Sequence, residues 1–199
     1  MKKAFWGVFL LVSFAGFLTI YFIWPKGEDL PVLDKVKNFQ LEDVHSEIYD
    51  INNNKVKLVA FFYTNCPDVC PLTMVDFKVL QERLKESGLF GEKVHLVAIT
   101  LDPEYDTAEV LQHYASAFEA DSIGWKWLRG TSEETSAIAK DFNMQYAKLE
   151  NDFFLHSITM YLLDKNNNVR ALYDMASVKN SVDTEEILDD MKILVGGTR

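Results

Sequence analysis

The sequence predicts an α/β domain, a central mixed sheet with helices on both faces, preceded by one helix long enough to cross a membrane. Three observations carry this. Residues 55–64 and 93–101 are almost continuous apolar runs, the pattern of strands buried on both faces. Segments of helical spacing alternate with such runs through the rest of the chain. Residues 4–24 carry no charge at all.

As a helix, residues 4–24 would extend roughly 30 Å, the thickness of a bilayer core. Phe5, Trp6, Tyr21, Phe22 and Trp24 sit near its two ends, as interfacial aromatics do, and Lys2 and Lys3 precede it. The positive-inside rule then makes residues 1–3 a cytoplasmic tip and sends the rest of the chain out. The competing reading is a cleaved secretory signal. Its apolar region would be about 7–15 residues long and would end at a small-residue site, which Trp24-Pro25-Lys26 is not. The first arginine is Arg83, which argues against an Arg-rich transit peptide and for a bacterial cytoplasmic membrane. Residues 25–37, with Pro25, Gly27 and Pro31, read as a linker and residues 38–199 as the domain.

Within the domain, the strand at 55–64 leads into a helix at 72–87. Leu72, Val75, Val79, Leu80 and Leu84 are its expected buried stripe, and Gly88 ends it. After the strand at 93–101, Asp106 or Thr107 caps a helix to about residue 118. A short strand at 125–128 follows. Thr131 and Glu134 then form a capping box for a helix to about residue 142. Residues 157–163 and 169–173 flank Asn166-Asn167-Asn168 as an antiparallel hairpin, and Asp183 caps a closing helix to about residue 195. The order is that of a thioredoxin-like fold with inserts.

Composition narrows the chemistry. The chain has 199 residues, 48% hydrophobic and 25% charged, a globular balance. Its formal charge is −10, which speaks against a nucleic-acid partner. Without residues 1–29, 17 basic residues stand against 28 acidic ones, so the acidity belongs to the domain. The two cysteines exclude a disulfide-stapled scaffold.

Those cysteines, Cys66 and Cys70, lie in Asn65-Cys66-Pro67-Asp68-Val69-Cys70-Pro71, between a buried strand and a helix. A helix N-terminus favours thiolate over thiol. Spacing i, i+4 puts both sulfurs on one face if the segment is helical, where they can share a metal or join as a disulfide. A redox pair is usually CxxC, and the wider bite suits a metal better. Two thiolates need a further ligand. His95 lies in a buried strand and reads as a satisfied core residue. His113 reads as a surface residue and His45 as solvated. His156 follows an irregular aromatic segment and opens the hairpin strand, which in a thioredoxin-like sheet brings it beside the cysteine turn. Asp68 is a turn former or a weak extra ligand; Asp102 and Asp106 are candidates to support the site from behind, unless Asp106 is only a helix cap.

These residues resemble the Sco (SenC/PrrC) family. Phe62-Tyr63-Thr64 with Cys66 to Pro71, Asp102-Pro103-Glu104 with Asp106-Thr107, Gly130-Thr131, and His156-Ser157 followed by Tyr161, Leu162 and Asp164 match its motifs in order over about 110 positions. Asn65, Tyr105, Ala108 and Leu155 stand where the family often has His, Arg, Pro and Asp. The resemblance implies one copper ion per chain, Cu(I) or Cu(II), held by Cys66, Cys70 and His156. It implies a metallochaperone more than an enzyme, serving the dinuclear copper centre of cytochrome c oxidase subunit II, with a copper donor and a thiol reductant as further partners. The alternative it leaves open is an extracytoplasmic thiol:disulfide oxidoreductase in which Cys66 and Cys70 are the catalytic pair, reducing that centre or sensing redox conditions.

Overall fold

The computed structural model describes residues 30–45, 47–148 and 154–196, with helical positions at 6, 9, 13–17 and 19. Most of the expected span at 4–24, and the tip at 1–3, lie outside the described residues. Among those described, no helix is long and apolar enough to cross a membrane.

In chain order the elements are β1 (Asp34–Lys35), β2 (Gln40–Asp43), β3 (Ile48–Asp50), β4 (Val56–Phe62), α1 (Val69–Glu86), β5 (Val94–Thr100), α2 (Ala108–Ala117), β6 (Trp125–Arg129), α3 (Ser132–Asp141), β7 (Tyr146–Lys148), β8 (Phe154–His156), β9 (Thr159–Leu163), β10 (Asn168–Asp174) and α4 (Thr184–Val195). The main sheet runs β1-β10-β9-β4-β5-β6-β2-β3. Its centre, β4, β5 and β6, is parallel. β9 lies antiparallel beside β4, and β10 antiparallel beside β9. A strand, a helix and a parallel strand, followed by a hairpin and a closing helix, is the thioredoxin-like core. The β2–β3 hairpin, which the polar composition of both strands hid, extends the sheet beyond β6. β1 joins β10 from within the stretch read as linker.

The apolar runs are continuous because both faces of the sheet are covered. Along β4, Leu58, Ala60 and Phe62 face a core shared with Met74, Phe77, Trp125, Trp127 and Met191. Val59 and Phe61 face the opposite core, with Ile99, Leu128, Ile138 and Phe142. Phe62 meets the Trp127 ring edge-on at 5.1 Å.

The helix caps stand close to expectation. Thr131 and Glu134 form the capping box of α3, and Asp183 caps α4. Thr107 caps α2, its Oγ1 accepting from the Val110 N–H at 3.3 Å. Gly88, at φ +68°, follows the end of α1 in the left-handed region that glycine reaches freely.

The buried face of α1 corrects the expected stripe. Cys70, Thr73, Met74, Phe77, Leu80, Gln81 and Leu84 are buried, while Leu72, Val75 and Val79 point outward. Two polar residues take core positions because their hydrogen bonds are satisfied there. Thr73 Oγ1 donates to Val69 O at 2.8 Å and accepts from the Ala176 N–H at 3.0 Å. Gln81 donates to Glu119 O at 3.2 Å and accepts from the Asp121 N–H at 2.8 Å. Reading apolar side chains alone therefore rotated the helix away from its true inner face.

Candidate metal centre

Beyond β4 the chain turns at residues 63–68 and enters α1. The Cys66 N–H donates to Tyr63 O at 3.2 Å, closing the turn. Asp68 is the N-cap of α1; its carboxylate accepts from the Val69 N–H at 2.6 Å. Both cysteines are free, Cys66 half-buried and Cys70 fully buried. The Cys70 N–H points at Cys66 Sγ at 3.4 Å. The Cys70 thiol donates to the same sulfur, and with the N–H groups of Cys70 and Asp68 it holds Cys66 down at about 6, against burial and the Asp68 charge. Cys70, as that donor and buried, is pushed far up.

Asp106 anchors the turn from behind. Fully buried, it accepts from the Thr64 N–H at 3.2 Å and from the hydroxyls of Thr64 and Thr100. Burial raises its carboxyl above the ordinary range even against these bonds. It is not the cap of α2 but the tie between the end of β4 and the end of β5. Asp102 is also buried; its N–H donates to Thr100 Oγ1 at 3.0 Å, and its carboxylate meets Lys148 Nζ at 3.4 Å.

His156 ends β8, paired with Tyr146 of β7 in a separate two-stranded sheet. Its Nδ1 lies 3.0 Å from Ser157 O. A carbonyl only accepts, so Nδ1 carries the hydrogen and Nε2 keeps its lone pair. Burial holds the imidazole below the ordinary histidine range, in its neutral form. The ring stands edge-on to Tyr63 at 6.1 Å between centroids, and Tyr63 packs against Phe154 at 5.1 Å.

The structure thus brings Cys66 and Cys70 together and places His156 against the tyrosine that opens their turn. Among the described residues, no three His, Cys, Asp or Glu side chains stand close enough to close around a metal ion. His95 is buried and satisfied, 3.0 Å from Tyr49 Oη and 3.2 Å from Gly91 O, while His45 and His113 are exposed. Sequence reasoning missed Tyr63 as the link between the two halves of the site and the β7–β8 hairpin that carries His156. Three-residue strands give too short an alternation to be read.

A two-thiol motif opening the first helix of a thioredoxin-like domain, with a lone-pair imidazole at the hairpin side, defines a class of soft-metal or thiol-exchange proteins. The family model described as SCO1/SenC matches residues 31–195, and the chain belongs to that family. The SCO1 homolog 1 of Arabidopsis thaliana mitochondria is 32% identical over 123 residues, 60% of this chain. The match spans only 35% of that relative's length. A SCO1/SenC family lipoprotein from Bacillus anthracis superposes with a TM-score of 0.72 at 28% identity, over 85% of this chain and 98% of its own. The Arabidopsis thaliana ScoI structure, which has copper bound, gives 0.66 at 26% identity, over 79% and 98%.

Proposed function

We propose that this chain is a membrane-anchored copper chaperone that serves the dinuclear copper centre of cytochrome c oxidase subunit II. The observation that carries the reading is geometric: two free thiols at one turn, with the Cys70 N–H 3.4 Å from Cys66 Sγ, and a histidine with a free Nε2 lone pair packed on Tyr63, which opens that turn. A copper ion would be held by both sulfurs: Cys66, whose thiol is held down, would bind as thiolate, and Cys70 would release its proton to water on binding. Thiolates suit Cu(I), and an imidazole admits Cu(II) as well. His156 joins when the β7–β8 hairpin moves toward the turn. That hairpin lies outside the main sheet and meets the site through Tyr63 and the Lys148–Asp102 pair. Three protein ligands leave an open position, which suits a cargo that must be passed on. Residues 4–24 act as the anchor, with the domain on the extracytoplasmic side.

One observation also favours a second reading, thiol:disulfide exchange. A half-exposed low-pKa thiol in front of a buried one is the arrangement of an attacking and a resolving cysteine. In that reaction the Cys66 thiolate attacks a substrate disulfide. Cys70 then resolves the mixed disulfide, releasing the substrate as a dithiol and leaving Cys66–Cys70 oxidised.

Copper titration of the reduced full chain in detergent separates the readings. Chaperone function predicts one equivalent bound with sulfur-to-copper charge transfer, lost in Cys66→Ala and in Cys70→Ala. It also predicts that His156→Ala abolishes oxidase maturation while dithiol cycling persists. Tight zinc binding without preference for copper contradicts it.

A further inference from the structure

The β7–β8 pair rests on the body of the molecule by one face. Residues 146, 148, 154 and 156 share that face, since Tyr146 pairs with His156 and Lys148 with Phe154. The opposite face carries Ala147 and Leu155, both exposed. Rings fill the contact: Phe154 stacks on Tyr146 at 6.2 Å and packs on Tyr63 at 5.1 Å, and His156 stands edge-on to Tyr63. Lys148 adds a charge. Its Nζ lies 5.5 Å from the centre of the Phe154 ring and 3.4 Å from Asp102 Oδ1.

The Asp102 side chain is 5% exposed and that of Lys148 42%. A carboxylate buried to that degree is costly without a cation beside it, so breaking the pair has a consequence that breaking a surface pair lacks. Behind the pair the contacts continue. The Asp102 N–H donates to Thr100 Oγ1 at 3.0 Å, that hydroxyl donates to Asp106, and Asp106 accepts from the Thr64 N–H at 3.2 Å. Thr64 lies two residues before Cys66. A line of polar contacts thus runs from the strand paired with His156 to the turn that holds the thiols. β7 and β8 share no ladder with the main sheet, so beyond the chain itself it is side chains that fix their place.

We propose that Lys148 is a positioning residue of the metal site: its pair with Asp102 latches the β7–β8 strands over the cysteine turn and keeps His156 within a short movement of the sulfurs. The proposal deepens the copper-chaperone reading and rests on it for the metal. Lys148 stands two rungs from His156, about 7 Å along the strands. As a cation it is no ligand, and it acts through the strand pair.

Hydrogen exchange on the full apo chain, in detergent, tests the latch without metal. Lys148→Gln removes the charge and keeps a flexible polar side chain. It is expected to speed exchange of the β7 and β8 amides about fivefold, with those of β4 and β5 unchanged. Lys148→Arg should restore the protection, and Lys78→Gln, which breaks the exposed pair with Glu119, should leave it untouched. Copper(II) bound to the same chains is then read by electron paramagnetic resonance. One equivalent should bind throughout, but the nitrogen coupling from imidazole should weaken in Lys148→Gln and return in Lys148→Arg. Unchanged exchange, or unchanged nitrogen coupling, in Lys148→Gln overturns the latch and leaves the chaperone reading standing. Faster exchange spread evenly over β4 and β5 also overturns it, by making Lys148 a general support of the fold. If the unaltered chain binds no copper, the chaperone reading falls and the positioning role falls with it.

Discussion

Cys66 and Cys70 differ in reactivity because the bond between them holds the acceptor, Cys66, down and, with burial, pushes the donor, Cys70, up. Cys66, held at about 6, is expected to react with iodoacetamide at a rate that is maximal at neutral pH and half-maximal near pH 6. Cys70, buried and pushed up, is expected to react only after unfolding. Alkylation across pH with mass mapping of the label checks this, and equal labelling of both thiols would contradict it. Behind the turn, Asp106→Ala removes the acceptor of the Thr64 N–H and of two hydroxyls. It should cost on the order of 3 kcal/mol in urea denaturation, with Asp106→Asn recovering part of the loss. The cysteines were legible because their chemistry is rare and their place between strand and helix is plain. Asp106 was legible as a support from behind or as a cap, but its partners were not. Its true partner, Thr64, lies 42 residues away, and only the parallel pairing of β4 and β5 brings them together.

Among the elements, β5 carries a built-in pH dependence. His95 is held neutral between Tyr49 and Gly91, and burial lowers it from 6.5 to about 3. Its folded pKa lies below its unfolded one, so the unfolded chain binds the extra proton. Stability should therefore fall as pH drops from about 6.5 toward 3, by about 1.4 kcal/mol per pH unit from this residue. Denaturation of the unaltered chain and His95→Gln at pH 7 and pH 4 isolates the effect: the variant should lose less. In α1, Asp68→Ala removes the cap and should cost about 1 kcal/mol while leaving copper affinity unchanged. Strands β4, β5 and β9 could be read from sequence because burial makes them apolar. β2 could not, because Asp43 occupies a core-facing position and is tolerated there by Lys126 Nζ at 3.5 Å. α1 was found but turned the wrong way, for the same reason: buried polar groups that are paired look like surface in a sequence.

On the scale of the molecule, the sheet sets the geometry that the chemistry uses. β4 delivers the cysteine turn, β5 holds it through Asp106, and the hairpin ending at His156 lies at the β9 side of the same sheet end. Copper that binds only the folded chain should stabilise it, by about 2.7 kcal/mol at a hundredfold excess over Kd, and this gain should vanish in Cys66→Ala. That His156 would pack on Tyr63, which opens the cysteine turn, was legible only as far as the fold class and the family motifs put positions 66 and 156 at one end of the sheet. The element that carries His156, a short strand pair resting on Tyr63, was not legible, since three-residue strands and ring contacts leave no periodic trace. X-ray absorption spectroscopy of the copper-loaded chain reads the ligand set itself. Two sulfur neighbours and one imidazole nitrogen are expected, with the nitrogen missing in His156→Ala and no bound copper left to measure in either Cys→Ala variant. A sulfur-only shell left unchanged by His156→Ala would contradict it.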